Sequence, residues 1–247
     1  MKKNRHSQDP AKKKRRSLLF KLTPPERQGG ETLGQFALRV MRAAIRSGQL
    51  TPGDHLREAD VAKWLGISRT PVREAFHTII ADGLLVTGPW SGAMLANLDQ
   101  NQLVELYAVR TVLEGAAAGL AAKHASSAEI EHMLEIAKSE LAAENDLAEL
   151  VLVNSELHNA IYSAAHNRYL LQSLRTVTDA LGLLRHSTFM LPGSIELARI
   201  EHLEILNAIR DRDSARAEQW ARKHVDNALT LRLKLLREET HIRVAAM

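Results

Sequence analysis

The run from Gly66 to Ala75, Gly-Ile-Ser-Arg-Thr-Pro-Val-Arg-Glu-Ala, constrains the fold of this chain more than any other stretch. Glycine ends a helix readily because it adopts the left-handed backbone at no steric cost. Ser68 can cap a second helix, and Pro71 falls in that helix's first turn, where a missing N–H costs nothing. Two helices are therefore expected to meet across a tight turn. The second opens on Arg69 and Arg73, four residues apart and so on one face. A helix offering two arginines from its first turns suits a DNA groove, since each guanidinium can bridge two acceptors on guanine.

The flanking residues extend this motif into a domain. Leu33, Phe36, Ala37, Val40, Met41, Ala44 and Ile45 repeat at helical spacing as far as Ser47-Gly48. Leu50-Thr51-Pro52-Gly53 reads as a turn, His55-Leu56 as the start of a short strand, and Glu58 to Leu65 as a helix. The helix that Ser68 opens continues to Asp82-Gly83. Two apolar runs, Leu84 to Thr87 and Ala93 to Ala96, enclose Gly88-Pro89-Trp90-Ser91-Gly92 and predict a two-stranded hairpin. Three helices and a hairpin predict a winged helix-turn-helix over residues 31 to 97, the hairpin serving as the wing.

After Leu98 glycine becomes rare and helical stripes run almost to the end. Helices are expected at about Asp99 to His124, Ser126 to Glu144, from Asp146 to before Asn167, Tyr169 to Phe189 and Ser194 to Arg210, with a last one from Ser214. Residues 98 to 240 thus predict an all-α antiparallel bundle, and the chain as a whole is mainly α. Polar residues interrupt the apolar stripes at Arg110, Asn154, His158, His202 and His224. A single histidine on such a stripe is ordinarily a hydrogen-bonded core residue. Three on separate helices also suit a first-row metal ion that keeps coordination positions open.

Charge divides the chain differently. Residues 1 to 30 carry ten Lys/Arg against Asp9 and Glu26, whereas residues 31 to 96 carry seven against six and the remainder sixteen against twenty-one. With Pro10, Pro24, Pro25 and Gly29-Gly30, residues 1 to 30 read as a disordered basic arm, either a solvated tail or a phosphate-contacting extension. The chain has no cysteine. It also offers no apolar run for a signal peptide or membrane span, so a soluble cytoplasmic protein is expected.

Gly48 to Glu58 (Gly-Gln-Leu-Thr-Pro-Gly-Asp-His-Leu-Arg-Glu), Leu65 to Ala75 and Asp82-Gly83-Leu84 together resemble the DNA-binding domain of GntR-family transcription regulators. The resemblance implies operator contacts by Arg69 and Arg73, phosphate contacts by Ser68 and Thr70, and close approach of the wing at Gly92. Some members carry a further contacting arginine where this chain has Ala59, and Arg57 is the nearby substitute.

The second half resembles the all-helical FCD ligand-binding domain of the FadR subgroup. It does so through Tyr107 to Glu114, Asn154-Ser155-Glu156-Leu157-His158, Glu201-His202 and His224. That resemblance implies a divalent ion of the Zn, Ni or Mn class held by Asn154, His158, His202 and His224. Metal-binding members carry Asp where this chain has Asn154, so the only anionic protein ligand is missing. An ion among neutral groups would keep its full charge, which favours an anionic effector as a further ligand. Arg110 could supply donors to that effector, or pair with Glu114 one turn on; Asn207 could reach the cavity. Alternatively the metal has been lost and the histidines line a polar pocket.

The expected protein is a homodimeric repressor that binds double-stranded operator DNA and responds to a small organic acid. Two-fold symmetry is expected because one recognition helix reads too few bases for specificity. An enzyme, a metal-dependent helical hydrolase with an appended DNA-binding module, is the rival; it lacks both a His-Asp doublet and His-Glu-x-x-His. A plain architectural DNA-binding protein would not need the polar residues in the bundle.

Overall fold

The computed structural model describes residues 20, 22–88, 92–184 and 186–245. By its internal contacts the chain divides between Asn97 and Leu98 into two compact units. The first begins with α1 (Leu33–Arg46), whose Thr32 and Gln35 form a reciprocal capping box. Strand β1 (His55–Leu56) follows the Pro-Gly turn, then α2 (Glu58–Leu65) and α3 (Arg69–Ala81). Gly66 joins the last two at φ 68°, the left-handed conformation expected there. Strands β2 (Leu85–Gly88) and β3 (Gly92–Leu95) complete the unit.

The wing has one more strand than the predicted hairpin. The sheet order is β1-β3-β2, with His55 opposite Met94 and Leu56 opposite Ala93. Gly53 N also donates to Leu95 O at 3.0 Å, so the turn after α1 is tied to the wing. Met41 and Ile45 of α1, Val72 and Ile79 of α3, and Leu85 and Leu95 of the sheet are buried in this unit.

The expected basic arm falls partly outside the described residues, since residues 1–19 and 21 are not among them. Its later part has partners in the winged unit. Trp64 Nε1 donates to Leu22 O at 2.7 Å, and Phe20 meets the Trp64 ring edge-on at 6.2 Å. Arg39 reaches both Glu31 and the Glu26 carbonyl. Composition pointed to disorder because it counts apolar residues within the segment, whereas these anchors lie elsewhere in the sequence.

The second unit holds α4 (Gln100–His124), α5 (Ser127–Ala142), α6 (Leu147–Ala164), α7 (Arg168–Leu181), α8 (Ser194–Arg210) and α9 (Ser214–Ala245). Helix α7 is shorter than expected: it ends at Leu181 before Gly182, and only a 3-10 turn at Thr188–Met190 continues toward α8. Helix α4 packs closely on α9 because small residues face it. A Cβ on Gly119 would meet Ser214 at 3.3 Å, and Ser214 Oγ donates to Gly119 O at 2.8 Å. Ala118, Ala121 and Ala122 of α4 join Leu157 of α6 and Ile205 of α8 in the core. Among the described residues no helix is long and apolar enough to cross a membrane.

Candidate nucleic-acid interface and metal centre

In the first unit, α3 carries Arg69 and Arg73 on its solvent side, with side chains 63% and 54% exposed. Both lean toward Glu58 at the start of α2. Arg73 Nε donates to Glu58 Oε2 at 3.1 Å, and Arg69 Nη2 lies 3.8 Å from the same oxygen. With Arg57, Ala59 and Gly92 these residues line an open groove of about 480 Å³ between α3 and the sheet. Ala59 leaves space in that groove, and Arg57 borders it.

Ser68 occupies the N-cap position, but its hydroxyl makes no capping hydrogen bond, contrary to expectation. Ser68 and Thr70 are both exposed beside the first turn of α3. Free hydroxyls at the positive end of a helix suit phosphate oxygens. Gly92 has a reason to be glycine that lies inside the fold: a Cβ there would sit 2.7 Å from Leu56 O, so β3 could not pair with β1.

In the second unit His158 of α6, His202 of α8 and His224 of α9 converge. One ring nitrogen from each lies within 4.8 Å of the other two, and the ring centroids are 4.7 to 5.4 Å apart. Each Nδ1 faces a carboxylate: Glu114 at 3.2 Å from His158, Glu140 at 2.8 Å from His202, and Glu201 at 2.9 Å from His224. A carboxylate on Nδ1 selects the tautomer whose lone pair is on Nε2. Among the described residues, His158 Nε2 and His202 Nε2 are buried with no hydrogen-bond partner. Burial pushes His224 down to about 4 and lowers His158 as well, against the upward pull of their glutamates. Burial thus favours the neutral form of His158 and His224, the form a metal ligand requires. The donor set therefore fits a divalent first-row ion.

Arg110 is buried and pairs through Nε with Glu114, so the two expected contacts of this arginine compete only in part. Its guanidinium lies over the Tyr107 ring, and among the described residues its Nη atoms have no hydrogen-bond acceptor. Burial raises the Glu114 carboxyl, but Arg110 and His158 outweigh it and hold that carboxyl far below the usual range. Asn154 and Asn207 are half-buried, one on the turn before His158 and the other on the turn after His202.

Three glutamates stand behind the histidines expected to hold the ion, on the Nδ1 side of each ring. Glu140 was not foreseen at all, although it continues the apolar stripe Ile130, Met133, Ala137 of α5, and an acid in such a stripe is a legible signal. Glu114 was foreseen only as the partner of Arg110.

A winged helix-turn-helix with two exposed arginines on its third helix, followed by a separate helical unit with a polar core, defines a DNA-binding regulator of transcription. Residues 35–95 match the bacterial regulatory proteins of the gntR family, and residues 105–227 match the FCD domain. The chain belongs to the GntR family, with a C-terminal FCD domain. It is 32% identical over 184 residues to the "Probable D-xylose utilization operon transcriptional repressor" of Paenarthrobacter nicotinovorans, covering 73% of this chain and 80% of that one. It is 26% identical over 187 residues to the Nta operon transcriptional regulator of Aminobacter aminovorans, covering 75% and 88%. Among solved structures, E. coli McbR/YncC superposes with a TM-score of 0.74 at 20% identity over 83% of this chain and 99% of that chain, a likeness of fold. These domains and relatives belong to transcription regulators, not to enzymes, and the hydrolase reading is set aside.

Proposed function

We propose that the chain is a homodimeric repressor acting in the cytoplasm, whose hold on operator DNA is set by a small organic acid bound in the FCD domain at a divalent ion. The observation that carries this reading is the convergence of His158, His202 and His224 with their Nδ1 atoms already taken by carboxylates. These residues, with Asn154 on the adjoining turn, would hold an ion of the Zn, Ni or Mn class. Such an ion, when bound, supplies open coordination positions for an anionic oxygen. Arg110 contributes donors from its two Nη atoms, and Asn207 an amide, to the remainder of the same anion.

Arg69 and Arg73 read base edges, Ser68 and Thr70 hold phosphates, and Arg57 borders the groove where Ala59 leaves space. Effector binding then acts only through its preference for one arrangement of the two winged domains over another. Mobility-shift experiments on the DNA upstream of the gene, repeated with candidate organic acids, test the switch; release by one acid supports it, and indifference to all of them counts against it. Calorimetry of that acid with and without chelator tests the role of the ion. Equal affinity in both would remove the ion from the effector site.

A further inference from the structure

Buried carboxylates are retained where they are paired, because an uncompensated charge inside a protein costs several kcal/mol. Glu140 is 2% exposed, and its only described polar partner is the His202 ring, at 2.8 Å from Nδ1. On the other side of that ring, Nε2 is buried and without a hydrogen-bond partner among the described residues. An under-compensated anion and an unsatisfied lone pair thus flank one imidazole, and a cation at Nε2 completes both.

The same arrangement recurs at the other two rings, where Glu114 faces His158 and Glu201 faces His224. Arg110 is paired with Glu114. Among the described residues these three carboxylates and the paired Arg110 carry formal charges that sum to −2. A divalent ion neutralises that charge, whereas a monovalent or trivalent ion does not. Asn154 adds none.

We infer that Glu140, with Glu114 and Glu201, supplies from behind the histidines the negative charge that Asn154 does not supply at the ion, and that Glu140 is the positioning residue for His202. None of the inner ligands is an anion, and the balance is made one layer out. This rests on the metal reading proposed above.

The test uses the full chain stripped of metal, with Zn(II) alone titrated against a chromophoric chelator and Co(II) followed by its visible absorption. Glu140→Gln keeps the shape and an acceptor oxygen but removes the charge. It is expected to weaken Zn(II) binding by about 10–100-fold and to shift the Co(II) bands, with the metal-free protein melting no lower than the parent. Adding Asn154→Asp to that variant returns an anionic group to the ion and is expected to restore at least about tenfold of the loss. A merely structural role for Glu140 would not be rescued in this way. Should Glu140→Gln not fold, Glu201→Gln carries the same test at His224, because its amide oxygen can still accept from His224 Nδ1 while Asn227, with its amide turned over, accepts from the new NH2. Undiminished Zn(II) affinity in the glutamine variant, or no rescue by Asn154→Asp, overturns this inference while leaving the metal site standing. Failure of the parent protein to bind Zn(II) or Co(II), or His202→Ala binding as well as the parent, overturns the metal reading and this inference with it.

Discussion

Glu58 lies between Arg69 and Arg73 and holds both by ion pairs in the DNA-free protein. Binding through these arginines would have to exchange the contacts with Glu58 for contacts with DNA. Replacing either arginine by alanine is expected to cost about 1–3 kcal/mol at the base pair it reads and to remove sequence preference. Competition between operator and random DNA measures this, and a preference surviving Arg69→Ala would refute the recognition-helix assignment. Gly92 makes a separate prediction. Gly92→Ala places a methyl 2.7 Å from Leu56 O, a backbone atom that cannot swing away. The variant should lose about 1–3 kcal/mol of stability in the winged unit, read by denaturant unfolding. Unchanged stability with lost DNA binding would instead assign Gly92 to the groove alone.

Elements whose ends carry strong local signals match their expected bounds closely. Helix α8 runs from Ser194 to Arg210 as the Pro192-Gly193 break indicated, and α4 begins after the Asp99 capping box. Helix α7 does not, because the apolar spacing beyond Gly182 continues to suggest a helix while the chain there turns toward α8. Strand β1 is only two residues long, too short to announce its pairing with β3. The basic arm belongs to the same scale. Residues 1 to 16 carry eight Lys/Arg against Asp9 and lie outside the described residues. Their removal should flatten the salt dependence of DNA binding, each lost phosphate contact lowering the log–log slope by about 0.9, while operator preference persists. Binding measured across a salt series checks it, and an unchanged slope would make the arm a solvated tail.

Two units with separate cores predict two responses in the whole molecule. A divalent ion held by His158, His202 and His224 stabilises only the unit containing them, by about 2.7 kcal/mol at a hundred times its dissociation constant. Calorimetric melting with and without Zn(II) should move the transition of residues 98–247 and leave that of the winged unit in place. A common shift of both would couple the units thermodynamically.

The local pattern of this chain determined its class, its two halves and the face of α3 that carries Arg69 and Arg73, because caps, glycine turns and helical spacing act over a few residues. It also placed a histidine on the inner face of each of three helices. Only tertiary structure decided that those rings meet, and that Glu114, Glu140 and Glu201 stand behind them. His202 and Glu140 are 62 residues apart in the chain and 2.8 Å apart in the fold. Such a distance is set by how the helices pack against one another, which no short-range pattern encodes.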